Sequence, residues 1–223
     1  MTASAAYPRI PHLVPGRGTD DDLVLGAGER DELLATDLEV EEKLDGANVM
    51  IWADDGTFRC SGRAGPGSID RAGQFGALRA WVAANPHRLG PLLRPGDVLY
   101  GEWLYLTHTI PYRDLPSWFV ALDLRRADGT FLEAAQRRAL LAGTGLVIPP
   151  LLGTGRFTLE QLEELGRRAT WSDADGEGVV VRPTQPPRPE LRMAKLVRAG
   201  FVRLTDEEWR RGRGVNSLAP STA

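Results

Sequence analysis

The stretch Leu38-Glu-Val-Glu-Glu-Lys43-Leu-Asp-Gly46 alternates apolar and charged side chains and then runs into a tight turn. Period-two alternation is the mark of a half-buried strand. Lys43 stands where that strand ends, so its amine leaves the sheet at the turn and points toward whatever the sheet faces. A lysine amine is a nucleophile only when neutral, which requires a lowered pKa from nearby cations or a bound metal. Taken alone, Lys-x-Asp-Gly marks no more than a surface turn.

Outward from this stretch the chain keeps producing short strands. Ala47 to Trp52 and Thr57 to Cys60 flank the turn Asp54-Asp-Gly56 and read as a hairpin. Asp97–Tyr105, Ser117–Leu124, Gly178–Arg182 and Leu191–Val197 have strand character. Helical spacing appears over Ser68–Ala84 and Glu133–Ala142. A further helix is expected over Thr158–Arg168, where Thr158 and Gln161 hold capping-box positions. A short helix is expected to start at Thr205, and the last ten residues to be frayed. Strands and helices do not alternate regularly. The expected fold class is therefore α+β, with mostly antiparallel sheets and flanking helices. The expected organisation is an irregular N-terminal segment over residues 1–30, a catalytic domain over 31–204, and a short C-terminal helix and tail over 205–223, with no large appended domain. No internal repeat and no glycine-rich dinucleotide or P-loop pattern occurs.

The 223 residues carry a formal net charge of −3, so any nucleic-acid-binding surface has to be local. A single cysteine, Cys60, excludes an internal disulfide framework and a cysteine zinc site. Three scattered histidines give no metal-ligand spacing, and His12 and His108 read first as hydrogen-bonding residues. The N-terminus lacks the pattern of a signal peptide, and no apolar run approaches the ~20 residues of a membrane span. A cytoplasmic protein without membrane association is expected.

Four further short patterns follow Lys43 in order. They are Leu99-Tyr-Gly-Glu102, Trp118-Phe-Val-Ala-Leu-Asp123, Glu177-Gly-Val-Val-Val181 and Met193-Ala-Lys195-Leu. Each is common; their collinear set is not. With Lys43-Leu-Asp-Gly46 they resemble motifs I, III, IIIa, IV and V of the covalent nucleotidyltransferases, which include ATP-dependent RNA and DNA ligases and mRNA capping enzymes. The Gly101–Asp123 stretch, with His108, Tyr112 and Leu115-Pro116, is similar to the RNA-ligase branch. The resemblance covers about residues 38–203.

That resemblance implies an ATP-grasp-like ligase adenylation domain and an ATP-dependent RNA ligase. Lys43 would attack the α-phosphate of ATP and carry AMP. AMP would pass to a 5′-phosphate, and a 3′-hydroxyl would then displace it. Lys43, Glu177 and Lys195 take catalytic roles, with Lys195 on the α-phosphate. Glu42, Asp45, Gly46, Asn48, Arg63, Glu102 and Phe119 complete the nucleotide site, Glu102 on the ribose and Phe119 stacked on adenine. Trp118 replaces Phe119 if the strand register differs by one. Glu177 would hold Mg2+, with Mn2+ as an alternative, since such an ion keeps several waters and needs few carboxylates. RNA is the implied partner, with DNA or a mixed nicked duplex and an accessory repair protein as further ones. A DNA ligase, a capping-type transferase and a nucleotide- or nucleic-acid-binding module without ligation activity stay open as alternatives.

Two features depart from the family pattern. Motif V often carries Lys-x-Lys, whereas Val197 stands two positions after Lys195 here, with Arg198 next as a substitute cation; if Lys195 is instead the second lysine, Met193 occupies the first position. Only about twenty residues follow Phe201. Arg203, Arg210, Arg211 and Arg213 lie there, as phosphate contacts or as a solvated basic tail.

Overall fold

The computed structural model describes residues 6–18, 22–63, 74–202 and 214–220. Its elements, in chain order, are α1 (Ala27–Leu34), β1 (Leu38–Glu42), β2 (Ala47–Asp54), β3 (Thr57–Gly62), α2 (Gln74–Ala84), α3 (Pro86–Leu89), β4 (Val98–Trp103), β5 (Phe119–Arg125), α4 (Ala134–Gly143), β6 (Leu151–Gly155), α5 (Leu159–Leu165), β7 (Gly178–Pro183) and β8 (Ala194–Val197). The strands form two four-stranded antiparallel sheets, ordered β6-β1-β7-β8 and β3-β2-β4-β5. The expected α+β class with antiparallel sheets and flanking helices is what the chain adopts.

Alternation sorts each sheet into two faces. In the first sheet Leu38, Val40, Val179, Val181, Ala194 and Leu196 pack with Leu33 of α1 and Leu162 of α5. In the second, Val49, Ile51, Leu99, Phe119 and Ala121 pack with Leu78 and Val82 of α2 and Leu141 of α4. The opposite faces meet each other; they carry the polar residues together with an apolar cluster of Met50, Val98, Tyr100 and Met193. The hairpin turn at Asp55-Gly56 has positive φ at both residues, 45° and 72°, which suits the right-handed twist of the flanking strands.

Between the sheets lies a buried ionic network. Glu41 of β1 binds Arg137 and Arg138 of α4 through one oxygen and Arg182 of β7 through the other, at 3.0 Å. Arg182 also binds Asp123 of β5 at 3.0 Å, and Asp123 further accepts from Tyr7 at 2.9 Å and Arg192 at 3.2 Å. Arg137 is fully buried and donates to the carbonyl of Leu122 at 2.6 Å. Burial pushes the Asp123 carboxyl up, but the surrounding guanidiniums of Arg182, Arg192 and Arg137 outweigh it and hold the group below the usual carboxylate range.

Several expectations need correction. Residues 1–30 are not wholly irregular. Helix α1 starts at Ala27, and the Tyr7–Leu13 segment is built into the fold: Lys195 N–H donates to Pro11 O at 2.9 Å and Leu13 N–H to Lys195 O at 2.8 Å, which adds an edge to β8. Strand β6 was not expected, because Leu151-Leu-Gly-Thr-Gly155 is an edge strand with two glycines and lacks the β-branched run that announces a strand. The last ten residues are not simply frayed. Asn216 is buried, donates to Leu104 O at 2.7 Å, and accepts from Thr107 Oγ1 at 2.8 Å and Tyr112 N–H at 3.0 Å. The helix expected at Thr205, together with Arg203, Arg210, Arg211 and Arg213, lies outside the described residues, as does the first part of the helix expected from Ser68.

Asp123→Asn removes one of two carboxylates that neutralise a buried cluster of guanidiniums, so it is expected to destabilise the fold by about 3–5 kcal/mol. Urea unfolding measures this. A loss under about 1 kcal/mol would mean that solvent, not Asp123, compensates these arginines.

Candidate active site

The polar faces of the two sheets enclose a cleft of about 420 Å³, within the ~300–1,000 Å³ range of nucleotide-sized pockets. Its lining includes Lys43, Glu42, Asp45, Gly46, Asn48, Arg63, Glu102, Glu177 and Lys195. One pocket therefore gathers every expected site residue except Phe119.

Lys43 follows β1 directly. Its backbone N–H donates to Gly178 O at 2.9 Å, which continues the β1–β7 ladder by one residue and brings the lysine alongside the start of β7. Its Nζ lies 2.8 Å from Glu177 Oε1, with Glu177 fully buried and the lysine side chain 15% exposed. Gly178 has φ +147°, and a Cβ there would come within 2.0 Å of Leu196 O, so only glycine allows β7 to begin at this point beside β8.

Glu102 enters from β4, across the sheet from Asn48 of β2. Its Oε1 accepts the Gly46 N–H at 3.1 Å. Burial pushes its pKa up to about 7, with Glu177 and Asp45 adding to the rise and Lys43 opposing it. Gly46 needs no unusual φ. Its role is close approach, since a Cβ would lie 2.7 Å from Leu104 Cδ2 and 2.9 Å from Trp103 O. Asp45 lines the cleft, yet its carboxylate holds a loop: it accepts the N–H groups of Thr109 at 2.6 Å and Ile110 at 2.9 Å. His108 is thereby set at the cleft wall. Glu42 Oε2 accepts from Thr170 N–H at 3.0 Å, whereas its buried Oε1 has no hydrogen-bond partner among the described residues.

Phe119 does not face the cleft. It pairs across the sheet with Trp103, is fully buried, and stacks at 4.7 Å on Trp81 of α2, covering Gly101 where a Cβ would come within 2.3 Å of the ring. Trp118 is no substitute: its indole N–H donates to Asn216 O at 2.9 Å and its ring packs edge-on against Tyr105. Leu122, on the face of β5 opposite to Phe119, lines the cleft instead, as does Val180 of β7. Two aliphatic side chains from different sheets thus flank the space expected for an aromatic stack.

Lys195 projects from β8, next to Val180 in the ladder. The second motif V position is apolar and buried, and Arg198 does not replace it. Its guanidinium binds Gly176 O at 3.1 Å and Asp175 at 3.5 Å and does not line the cleft. Missing from the sequence reading were Arg9, Arg182 and Asp22, which do line it. Arg182 sits in the Val-Arg end of a strand whose alternation from Val180 could have signalled it.

The cation chemistry is selective. The chain has 27 basic residues, and only two are lysines, Lys43 and Lys195, both in this cleft. Arginine serves elsewhere, including in buried pairs. Only an ammonium can shed its proton and act as a nucleophile. Among the described residues no group of three metal-ligating side chains converges. Glu177 and Glu102 still offer hard oxygen donors beside the cleft, which fits a divalent ion held by few carboxylates, water and phosphate oxygens.

Because Glu102 has a folded pKa above its unfolded one, the native state binds more protons between pH 4.5 and about 7. This contribution to stability is present below pH 4.5 and is lost as pH rises through about 7. Glu102→Gln is expected to flatten the melting temperature across that window and to raise it at pH 8. An unchanged pH profile would contradict the raised pKa.

Residues 36–197 match the RNA ligase family model. Comparison with curated proteins finds no match. Among solved structures, a Naegleria gruberi RNA ligase with PPi aligns at TM-score 0.58 and 16% identity, over 89% of this chain and 60% of that one. Mutants of the same ligase align with TM-scores of 0.55 (with ATP and Mn) and 0.56 (with AMP and Mn), both at 15% identity, over 56% and 61% of their chains. The chain thus spans less than two thirds of these structures, and the likeness is one of fold. No described helix is long and apolar enough to cross a membrane. A family match over most of the chain, on the sheets that build this cleft, places the protein in the RNA ligase family.

Proposed function

We propose that the cleft binds ATP and that Lys43 takes AMP from it in an ATP-dependent RNA ligation. The observation that carries this reading is the Lys43 amine held 2.8 Å from a fully buried Glu177 in a cleft that also contains Lys195, Arg63, Asn48 and Glu102. Glu177 would accept the ammonium proton. The neutral amine then attacks the α-phosphorus, a P–N bond forms, and the bond to the pyrophosphate oxygen breaks. Charge spreads over the phosphoryl oxygens in that transition state, so Lys195 and Arg63 act by neutralising it and by holding the reactants in line.

The base would lie between Leu122 and Val180, with the unpartnered Glu42 Oε1 facing the adenine amino group. Guanine would present an oxygen there. Glu102 would accept from the ribose hydroxyls. Mg2+, or Mn2+, would be held by Glu177 with the phosphates and would supply further neutralisation of charge. The AMP would pass to the 5′-phosphate of an RNA strand, and a 3′-hydroxyl would seal the junction.

Incubation with α-labelled ATP and Mg2+, followed by denaturing electrophoresis, tests the first step. Wild type is expected to retain label, and Lys43→Ala to lose it completely. A folded wild-type protein that takes label from neither ATP nor GTP would favour a binding module without ligation activity. Glu42→Ala is expected to narrow the preference for ATP over GTP by about tenfold, the effect of one hydrogen bond to a buried polar group. Equal discrimination in the variant would place the base elsewhere.

A further inference from the structure

Outside the family motifs, the N-terminal segment brings an unusual group to the mouth of the cleft. Asp22 Oδ1 lies 3.1 Å from Lys195 Nζ and 3.9 Å from an Arg9 nitrogen, and Asp22 Oδ2 lies 3.5 Å from His12 Nε2. One carboxylate is thus ringed by three nitrogen groups from two segments. His12 and Lys195 are bridge partners along the added edge of β8, so their side chains arrive together by register. His12 is almost fully buried, while Asp22 and Lys195 keep 18% and 13% of their side-chain surface exposed. The arrangement has the geometry of an anion site, and the anion in it is the protein's own.

We propose that Arg9 and Lys195, which line the cleft, backed by His12 from the adjoining pocket, form the seat for the outer phosphates of a nucleoside triphosphate, and that Asp22 occupies this seat as an internal competitor. This inference rests on the nucleotide reading of the cleft and extends it to residues that no motif covers. A carboxylate and a phosphate edge both present paired oxygens to nitrogen donors, so the same ring accepts either. Occupation by Asp22 offsets the charge of Lys195 in the free protein. It lowers the apparent affinity for phosphates by the fraction of time that the seat is filled. AMP meets this ring only through Lys195 and its single phosphate, so it should respond to Asp22 less than a triphosphate does. Arg9 and His12 also provide positive and donor groups in a site whose second motif V lysine is replaced by Val197.

Gly18 packs against the same pair. A Cβ there would come within 2.3 Å of Asp22 Oδ2 and 2.7 Å of His12 Nε2. Gly18→Ala therefore displaces the carboxylate while keeping it in the chain, and presses on His12 as well, so it reads the seat through Arg9 and Lys195.

Titration calorimetry of the full chain with inorganic tripolyphosphate, and separately with AMP, tests the proposal. Asp22→Asn is expected to bind tripolyphosphate about tenfold more tightly than wild type, with a markedly smaller gain for AMP. Adding Arg9→Ala to Asp22→Asn should remove most of that gain. An Asp22→Asn protein with unchanged or weaker tripolyphosphate binding would overturn the proposal, and so would an equal gain for AMP. If Asp22→Asn does not fold, Gly18→Ala decides the matter by the same two measurements. Binding requires no transfer to Lys43. A tripolyphosphate gain without labelling by ATP would sink only the catalytic reading, and labelling without the gain would sink only this one.

Discussion

The structure depends on a pair of buried carboxylates, Glu41 and Asp123, joined through Arg182. Glu41 belongs to one sheet and Asp123 to the other, and Arg182 reaches both at 3.0 Å. Two sheets facing each other through apolar side chains would close into a sandwich and leave no cleft. Here the facing surfaces are polar near Arg182, so they are held at a distance set by guanidinium–carboxylate geometry. Such pairs gain less in stability than their Coulomb attraction suggests, because both partners are desolvated. What they supply is a defined separation, and the cleft opens beside them.

Once the separation is set, backbone register places the chemistry. Glu41 and Val180 are ladder partners, as are Val180 and Lys195, and the next residue after β1 is Lys43. Asn48 and Glu102 are partners in the other sheet. Each of these side chains is fixed by strand pairing on a rigid element, so little conformational entropy remains to be lost when a ligand binds. The loop carrying His108 is the exception, and Asp45, Tyr112 and Asn216 tie it down from three directions.

The electrostatics of the cleft are divided between two kinds of cation. Arginines occupy the network, where permanent charge and a forked donor array are needed. Lysines occupy two positions in the cleft, where the proposed reaction would use one as a compact charge on phosphate and the other as an amine able to become neutral. The Glu102 carboxyl, pushed up to about 7 between Glu177, Asp45 and Lys43, shows how crowded with charge the free cleft is. Phosphate groups and a divalent ion would redistribute that charge rather than add to it in one sign.

Local sequence determined a good deal. The alternation of Leu38 to Lys43, the Asp55-Gly56 turn and the Thr158 capping box are short-range features, and the strands, hairpin and helix they announce are present because a few neighbouring residues suffice to specify each. The order of Lys43, Glu102, Glu177 and Lys195 along the chain was likewise legible, and all four line one cleft. Other features were not, because they depend on residues far apart in the chain. Phe119 looks like a stacking residue until pairing with Trp103 turns it to the core and leaves Leu122, on the other face of the strand, at the cleft. Leu151–Gly155 becomes a strand only because β1 offers it an edge. Asn216 is anchored by groups more than a hundred positions away, and Asp22 meets Lys195 across 173 residues. Which side chains alternate is written locally; which face meets ligand, and which charge neutralises which, is decided only when the sheets pair and pack.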